Sequence, residues 1–221
     1  MSRRRVAVLD VDGTLIDSND AHTRAWVEAG RALGRTVDYD EVRRRIGMGG
    51  DKVMPQVAGI EEDSPEGERF AELRGEIFRE RYLPHLHPFP QARALLERMK
   101  SEGWTLVVAS SASEDDLSPL LEQAGIRDLI EEKTSSDDAE RSKPDPDIVQ
   151  AALDSADAAP GDAVMLGDTP YDVEAAGRAG VRIVALRCGG WDDEGLRGAA
   201  AVYDDAADLL AHFDTSPFGG G

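Results

Sequence analysis

Lysine is scarce in this chain, cysteine is nearly absent, and positive charge is in deficit. The single cysteine, Cys188, has no partner for an internal disulfide. That fits a reducing compartment, and the cytoplasm is the expected location. Lysines occur at 52, 100, 133 and 143 only, and the 25 basic residues face 44 acidic ones, for a net charge of −19. A chain so acidic is repelled by nucleic acid and by anionic membranes, which argues against both as partners. No apolar run approaches the ~20 residues that a membrane-spanning helix needs. The basic start, MSRRRVAVLDVDG, meets its first Asp too soon to hold the apolar core of a signal peptide. Hydrophobic residues still make up 41% of the 221. This is enough to bury the core of one large domain, or of one domain carrying an insertion. A monomer and a small homo-oligomer are both compatible with this composition.

Short apolar runs punctuate the chain at 5–11 (RVAVLDV), 104–110 (WTLVVAS), 162–168 (DAVMLGD) and 181–187 (VRIVALR), with a weaker one at 127–133. Near-continuous Val, Leu and Ile over so few residues predicts strands buried on both faces, as in a parallel sheet. Helical patterns lie between them and close at Gly103, Gly125 and Gly180, where a left-handed helix cap is expected. The alternation predicts an α/β fold with a doubly wound parallel sheet. It fails in one place: from 17 to 87 the patterns are all helical, which reads as an inserted helical domain. The expected division is therefore an α/β core at 1–16 and 88–213, a helical cap at 17–87, and a disordered tail at 214–221.

Ligands of open α/β sheets bind beyond the carboxyl ends of the strands, and the residues there are chemically pointed. Asp10-Val11-Asp12-Gly13-Thr14 follows the first run, Ser110 and Ser111 the second, and Asp168-Thr169-Pro170-Tyr171-Asp172 the fourth, while Lys143 lies in a loop between. Carboxylates at i and i+2 of an extended segment share a side. One can attack phosphorus while the other moves the proton. Gly13 permits a tight turn with its N–H close to a phosphate. Asp168 adds a third carboxylate to an oxygen site suited to Mg²⁺. Ser110 and Lys143 can bind phosphate oxygens, and the cations offset the repulsion between phosphate and attacking carboxylate.

DVDGTLIDS, VVASSAS, SKPDPDIV and GDTPYDVEAA, in that order, resemble the four signature motifs of the haloacid dehalogenase-like superfamily, in its branch with a helical cap after the first motif. The resemblance covers the chain except its tail. It implies an aspartyl-phosphate on Asp10, proton transfer by Asp12, and Mg²⁺ held by Asp10, the Asp12 carbonyl and Asp168, with Asp172 in or near the metal's surroundings. It also implies phosphoryl binding by Ser110 and Lys143, with Ser111 and Gly13 beside them. The expected activity is a phosphatase of a small phosphorylated metabolite, of sugar-phosphate or phosphoglycolate type. A phosphomutase is the main alternative, and a phosphate-binding module without turnover is a further one.

His22 matches an active-site histidine of the branch's β-phosphoglucomutases; an exposed His on an amphipathic helix is the plainer reading. Where those mutases carry a substrate-binding Arg, this chain has Gly50, which counts against a mutase. Arg43, Arg44, Arg45 and Lys52 surround a Gly-rich loop at 47–50 where substrate specificity is expected, although solvated helix charges explain each one as well. His85 and His87 lack a third metal ligand and read as structural. Cys188 reads as a small residue with no nucleophilic role, and Trp191 either borders the site or packs.

Overall fold

The computed structural model describes residues 5–219. Six strands form one sheet: β1 (Arg5–Leu9), β2 (Trp104–Ala109), β3 (Glu132–Thr134), β4 (Ala163–Gly167), β5 (Arg182–Leu186) and β6 (Ala201–Tyr203). Their order is β3-β2-β1-β4-β5-β6 and every pairing is parallel. Successive residues of β1 serve opposite faces. Ala7 and Leu9 join the apolar cluster under α5 (Ala92–Ser101), α6 (Glu114–Gln123) and α9 (Ala206–Ala211), whereas Val6 and Val8 join the one under α7 (Asp147–Ser155) and α8 (Pro170–Arg178). A strand covered on both faces has no polar side, which is why these runs read as unbroken Val, Leu and Ile. The doubly wound sheet expected from the sequence is therefore present, and Gly103, Gly125 and Gly180 all take positive φ just past their helices.

At the edges of the sheet one expectation is corrected and one strand is added. The weak run at 127–133 is not one strand: Arg127–Leu129 is a 3-10 turn, and pairing with β2 begins only at Glu132. The short Ala-rich β6 carries no apolar run of its own, and pairing with β5 defines it. The tail is corrected too. Residues 214–219 pack back on the core: Phe218 is fully buried, its ring meets Trp104 edge-on at 5.3 Å, and its carbonyl accepts from Trp104 Nε1 at 2.9 Å. The remainder of the expected tail lies outside the described residues.

Between β1 and α5 the named elements are all helical: α1 (Asn19–Ala32), α2 (Tyr39–Arg43), α3 (Gly50–Ala58), α4 (Pro65–Ile77), a π turn (Phe78–Tyr82) and a 3-10 turn (Leu83–His85). The chain leaves and re-enters the α/β layer side by side. Ile16 bridges Pro88, and the Asp17 N–H donates to the His87 carbonyl at 3.1 Å.

Candidate active site

β1 and β4 are neighbours, and strand order reverses about them, because the chain runs from β1 outward to β2 on one side and returns to β4 on the other. That crevice is where an open α/β sheet binds its ligand. Asp10 follows β1 and Asp168 follows β4, so adjacent strands deliver both carboxylates to one point. The Asp10 N–H is held by the Leu166 carbonyl at 2.9 Å. Asp172 joins them from the first turn of α8, where Thr169 and Asp172 cap one another's backbone.

Oxygens of Asp10, Asp168 and Asp172 lie within 4.8 Å of one another, and all three residues are buried. One cation faces them. Lys143, fully buried, places Nζ 2.6 Å from Asp10 Oδ1 and 2.8 Å from Asp172 Oδ1. The Thr14 hydroxyl lies 2.9 Å from Asp10 Oδ2 and 2.8 Å from Asp168 Oδ1, and Asn19 Nδ2 donates to Asp168 Oδ2 at 3.1 Å. The other oxygen of Asp172, Oδ2, is committed to the Asp168 and Thr169 N–H groups and the Thr169 hydroxyl.

Burial pushes Asp10 up to about 7, a rise that Lys143 opposes and Asp172 adds to. Asp168 is held well above the carboxylate range by burial, then by repulsion from Asp10 and Asp172. Burial alone would lower Lys143, but Asp10 and Asp172 outweigh it and hold the ammonium charged. Three buried carboxylates against one ammonium leave negative charge uncompensated. An all-oxygen donor set in that state fits a hard divalent cation such as Mg²⁺, and it lacks the thiolate or imidazole that softer metals prefer. The described residues thus fit the ion that the motifs imply.

Asp12 sits apart from this cluster. Its Oδ1 accepts from Ser18 Oγ at 2.5 Å and pairs with His22 Nε2 at 2.8 Å. Burial works to raise Asp12, but the His22 ring and the Ser18 hydroxyl outweigh it and leave the group below its ordinary value. His22 is buried, its ring stacked on Phe78 at 3.9 Å, so the exposed-helix reading of this residue is overturned.

A cavity of about 60 Å³ opens over these groups, lined by Asp10, Asp12, Ser110 and Ser111 of the α/β layer and by His22, Trp26, Met48, Gly50 and Arg74 of the helical segment. A second cavity of about 410 Å³ shares Trp26, Gly50, Arg74 and Ser111 with it.

A profile of haloacid dehalogenase-like hydrolases matches residues 7–186. The chain belongs to the haloacid dehalogenase-like hydrolase family. It is 30% identical over 223 residues to a phosphoglycolate phosphatase of Rhodospirillum rubrum, covering 93% of this chain and 89% of that one. A phosphoglycolate phosphatase of Aquifex aeolicus is 32% identical over 80% of this chain and 82% of its own. Among solved structures, a hydrolase from Pseudomonas syringae superposes with a TM-score of 0.88 at 31% identity, covering 96% of this chain and 98% of that one. CbbY from Rhodobacter sphaeroides, in complex with phosphate, gives 0.81 at 26% identity, covering 96% and 99%.

The motifs by which the haloacid dehalogenase-like family was legible thus bring Asp10, Asp12, Ser110, Lys143, Asp168 and Asp172 to one edge of the sheet. Ser110 accepts the Ala112 N–H at 3.1 Å, and Ser111 donates to the Gly47 carbonyl at 3.3 Å. Gly13 departs from its expected part. Its N–H donates to the Ile16 carbonyl at 2.9 Å and is not free for a phosphate. What requires glycine there is space, because at φ 74° a Cβ would stand 2.1 Å from Asn19 Nδ2 and 2.4 Å from Asp168 Oδ2.

Arg43, Arg44, Arg45 and Lys52 do not line the cavity over Asp10; each is paired with a nearby carboxylate. The cation that does reach it is Arg74, which the sequence did not single out. Arg74 and Arg79 both bind Asp116, a fully buried residue of α6. His85 and His87 are exposed and lie outside the carboxylate cluster. Cys188 is partly buried, its thiol pushed up by burial and then by Asp168, and its Sγ contacts the Gly13 carbonyl at 3.3 Å. Trp191 packs edge-on against Tyr171. Ser18 and Asn19 were also missed, and Thr14 was named without a role, although all three lie within the first motif or directly after it.

Proposed function

We propose that this chain is a Mg²⁺-dependent phosphatase of a small phosphorylated metabolite, working through an aspartyl-phosphate on Asp10. The observation that carries the reading is the pairing of a buried, cation-held Asp10 with a separate proton-handling pair, Asp12 and His22, under one cavity. Relatives named phosphoglycolate phosphatase support the substrate class. Asp10, Asp168 and the Asp12 carbonyl would hold the ion, with Asp172 beside them. When bound, it supplies Lewis-acid neutralisation of phosphoryl oxygens.

Asp10 attacks phosphorus while Lys143 compensates the charge gathered there. The leaving oxygen takes its proton from Asp12. Because Asp12 is held below its ordinary value, we assign that proton to the Asp12–His22 pair as a unit: it passes from His22 across the 2.8 Å contact to Asp12 and on to the leaving oxygen, which leaves Asp12 ionised. In the second half, Asp12 takes a proton from water as the water cleaves the acyl phosphate, releasing inorganic phosphate and restoring Asp10. The helical insertion acts as a cap that covers the substrate and excludes bulk water. A reducing, cytoplasmic setting fits the lone Cys188.

The mutase alternative weakens at Gly50. This chain has no side chain at the position where the branch's mutases carry a substrate-binding Arg. Phosphate release across a panel of phosphorylated sugars and phosphoglycolate, with Mg²⁺ and beside Asp10→Asn, tests the proposal. Release that survives Asp10→Asn would refute it.

A further inference from the structure

Lys143 makes its two ion pairs from a loop that is itself held by the helical insertion. Ser142, directly before it, is buried. The Ser142 hydroxyl donates to Asp51 Oδ1, the Ser142 N–H donates to Asp51 Oδ2 at 3.4 Å, and the Gly49 N–H donates to Ser142 Oγ at 3.0 Å. Asp51 stands in the first turn of α3, where a carboxylate is favoured by the helix dipole. Two residues beyond Lys143, Asp145 Oδ2 takes Lys52 Nζ at 3.0 Å. The loop carrying Lys143 is thus gripped on both sides by consecutive residues of α3.

The approach is close enough to demand glycine. A Cβ on Gly49 would stand 2.5 Å from Ser142 Cβ. The same 44–52 stretch touches two other site loops: Ser111 donates to the Gly47 carbonyl at 3.3 Å, and Tyr171 donates to the Arg44 carbonyl at 2.5 Å. Of the three contacts, the Ser142 one is covalently next to the side chain that is ion-paired with Asp10.

We propose that Asp51 and Ser142 are positioning residues: their two-pronged hydrogen bond sets the Lys143 loop when the insertion docks, so that the ammonium meets Asp10 and Asp172 only under a closed cap. The inference rests on the phosphatase reading above and adds to it a coupling between closure and charge placement. An insertion that swings away exposes Asp51 and Ser142 to water, where both are readily solvated, and releases the loop. An ångström of displacement at a catalytic cation is enough to cost orders of magnitude in rate.

The test compares wild type, Asp51→Ala, Asp51→Asn, Ser142→Ala and the Asp51→Ala/Ser142→Ala double variant with a substrate found in the panel and with p-nitrophenyl phosphate. Hydrogen exchange of a peptide covering 139–146 is followed in parallel. Asp51→Ala and Ser142→Ala are expected to lower kcat by about tenfold or more with little change in KM. The double variant should be no worse than either single one, because the residues act as a unit. Asp51→Asn, which keeps one acceptor, should fall between, and exchange at 139–146 should quicken with the loss of rate. Full kcat in Asp51→Ala, additive losses, a loss confined to KM, or unchanged exchange would each overturn the latch while leaving the phosphatase intact. A wild type that releases no phosphate from any substrate would overturn the phosphatase reading first, and the latch with it.

Discussion

Lys143 Nζ stands 2.6 Å from Asp10 Oδ1 and is sealed from water. A buried ion pair of this kind is costly to halve, because the abandoned charge has no solvent. Lys143→Met strands Asp10 and Asp172 and is expected to cost about 3–5 kcal/mol of stability as well as all activity. Adding Asp172→Asn should return part of the stability and none of the activity. Denaturant unfolding of the three proteins decides this, and equal midpoints for wild type and Lys143→Met would refute it.

Asp12 and His22 are expected to separate the two half-reactions. Asp12→Asn should slow turnover of alkyl phosphates by about 10²–10⁴-fold. With p-nitrophenyl phosphate, whose leaving group needs no acid, it should instead show a burst of nitrophenol as the aspartyl-phosphate accumulates. His22→Ala should impair alkyl substrates more than p-nitrophenyl phosphate. Rapid-mixing kinetics check both points, and equal losses on the two substrate types would remove Asp12 from the acid role.

Mg²⁺ is expected to stabilise the protein, by about 2.7 kcal/mol at a hundredfold excess over Kd, and a chelator should reverse the gain. Asp168→Asn should be more stable than wild type without metal, since it removes a repelled buried carboxylate, and should lose the response to Mg²⁺. Thermal melts with and without the ion test this independently of activity.

Glu62 titrates above its ordinary 4.5, chiefly because it is half-buried and then because Asp51 repels it. The folded state therefore binds a proton that the unfolded chain has released, and stability falls as pH rises from the ordinary value through the raised one. Glu62→Gln should be more stable than wild type at about pH 8, with the advantage gone at about pH 4. A gain of the same size at both would point to a cause other than charge.

Phe218, at the end of the chain, fills a place beside Trp104. Phe218→Ala should cost about 3–5 kcal/mol. Unfolding midpoints that do not move would show the segment to be dispensable.

The fold was legible because each buried strand must be apolar on both faces, and that requirement writes itself into consecutive residues such as Val6 to Leu9. The site was legible for a related reason: in such a sheet the residue after a strand lands at the ligand edge, so Asp10 and Asp168 could be placed without coordinates. Arg74 escaped notice because one arginine among several on a helix carries no local sign of where it points. β6 and the packed Phe218 escaped because pairing with β5 and contact with Trp104, not their own composition, order them.

The sequence by itself determined the alternation of strand and helix, the all-helical interruption and which polar residues follow the strands at the ligand edge, since these depend on neighbours in the chain. Tertiary structure decided which charges and hydrogen-bonding groups meet. Lys143 is 133 residues from Asp10 in sequence, Asp51 is 91 from Ser142, and Arg74 is 42 from Asp116. Coulomb energy and desolvation depend on distance in space and on burial, and neither quantity exists until the chain has closed on itself.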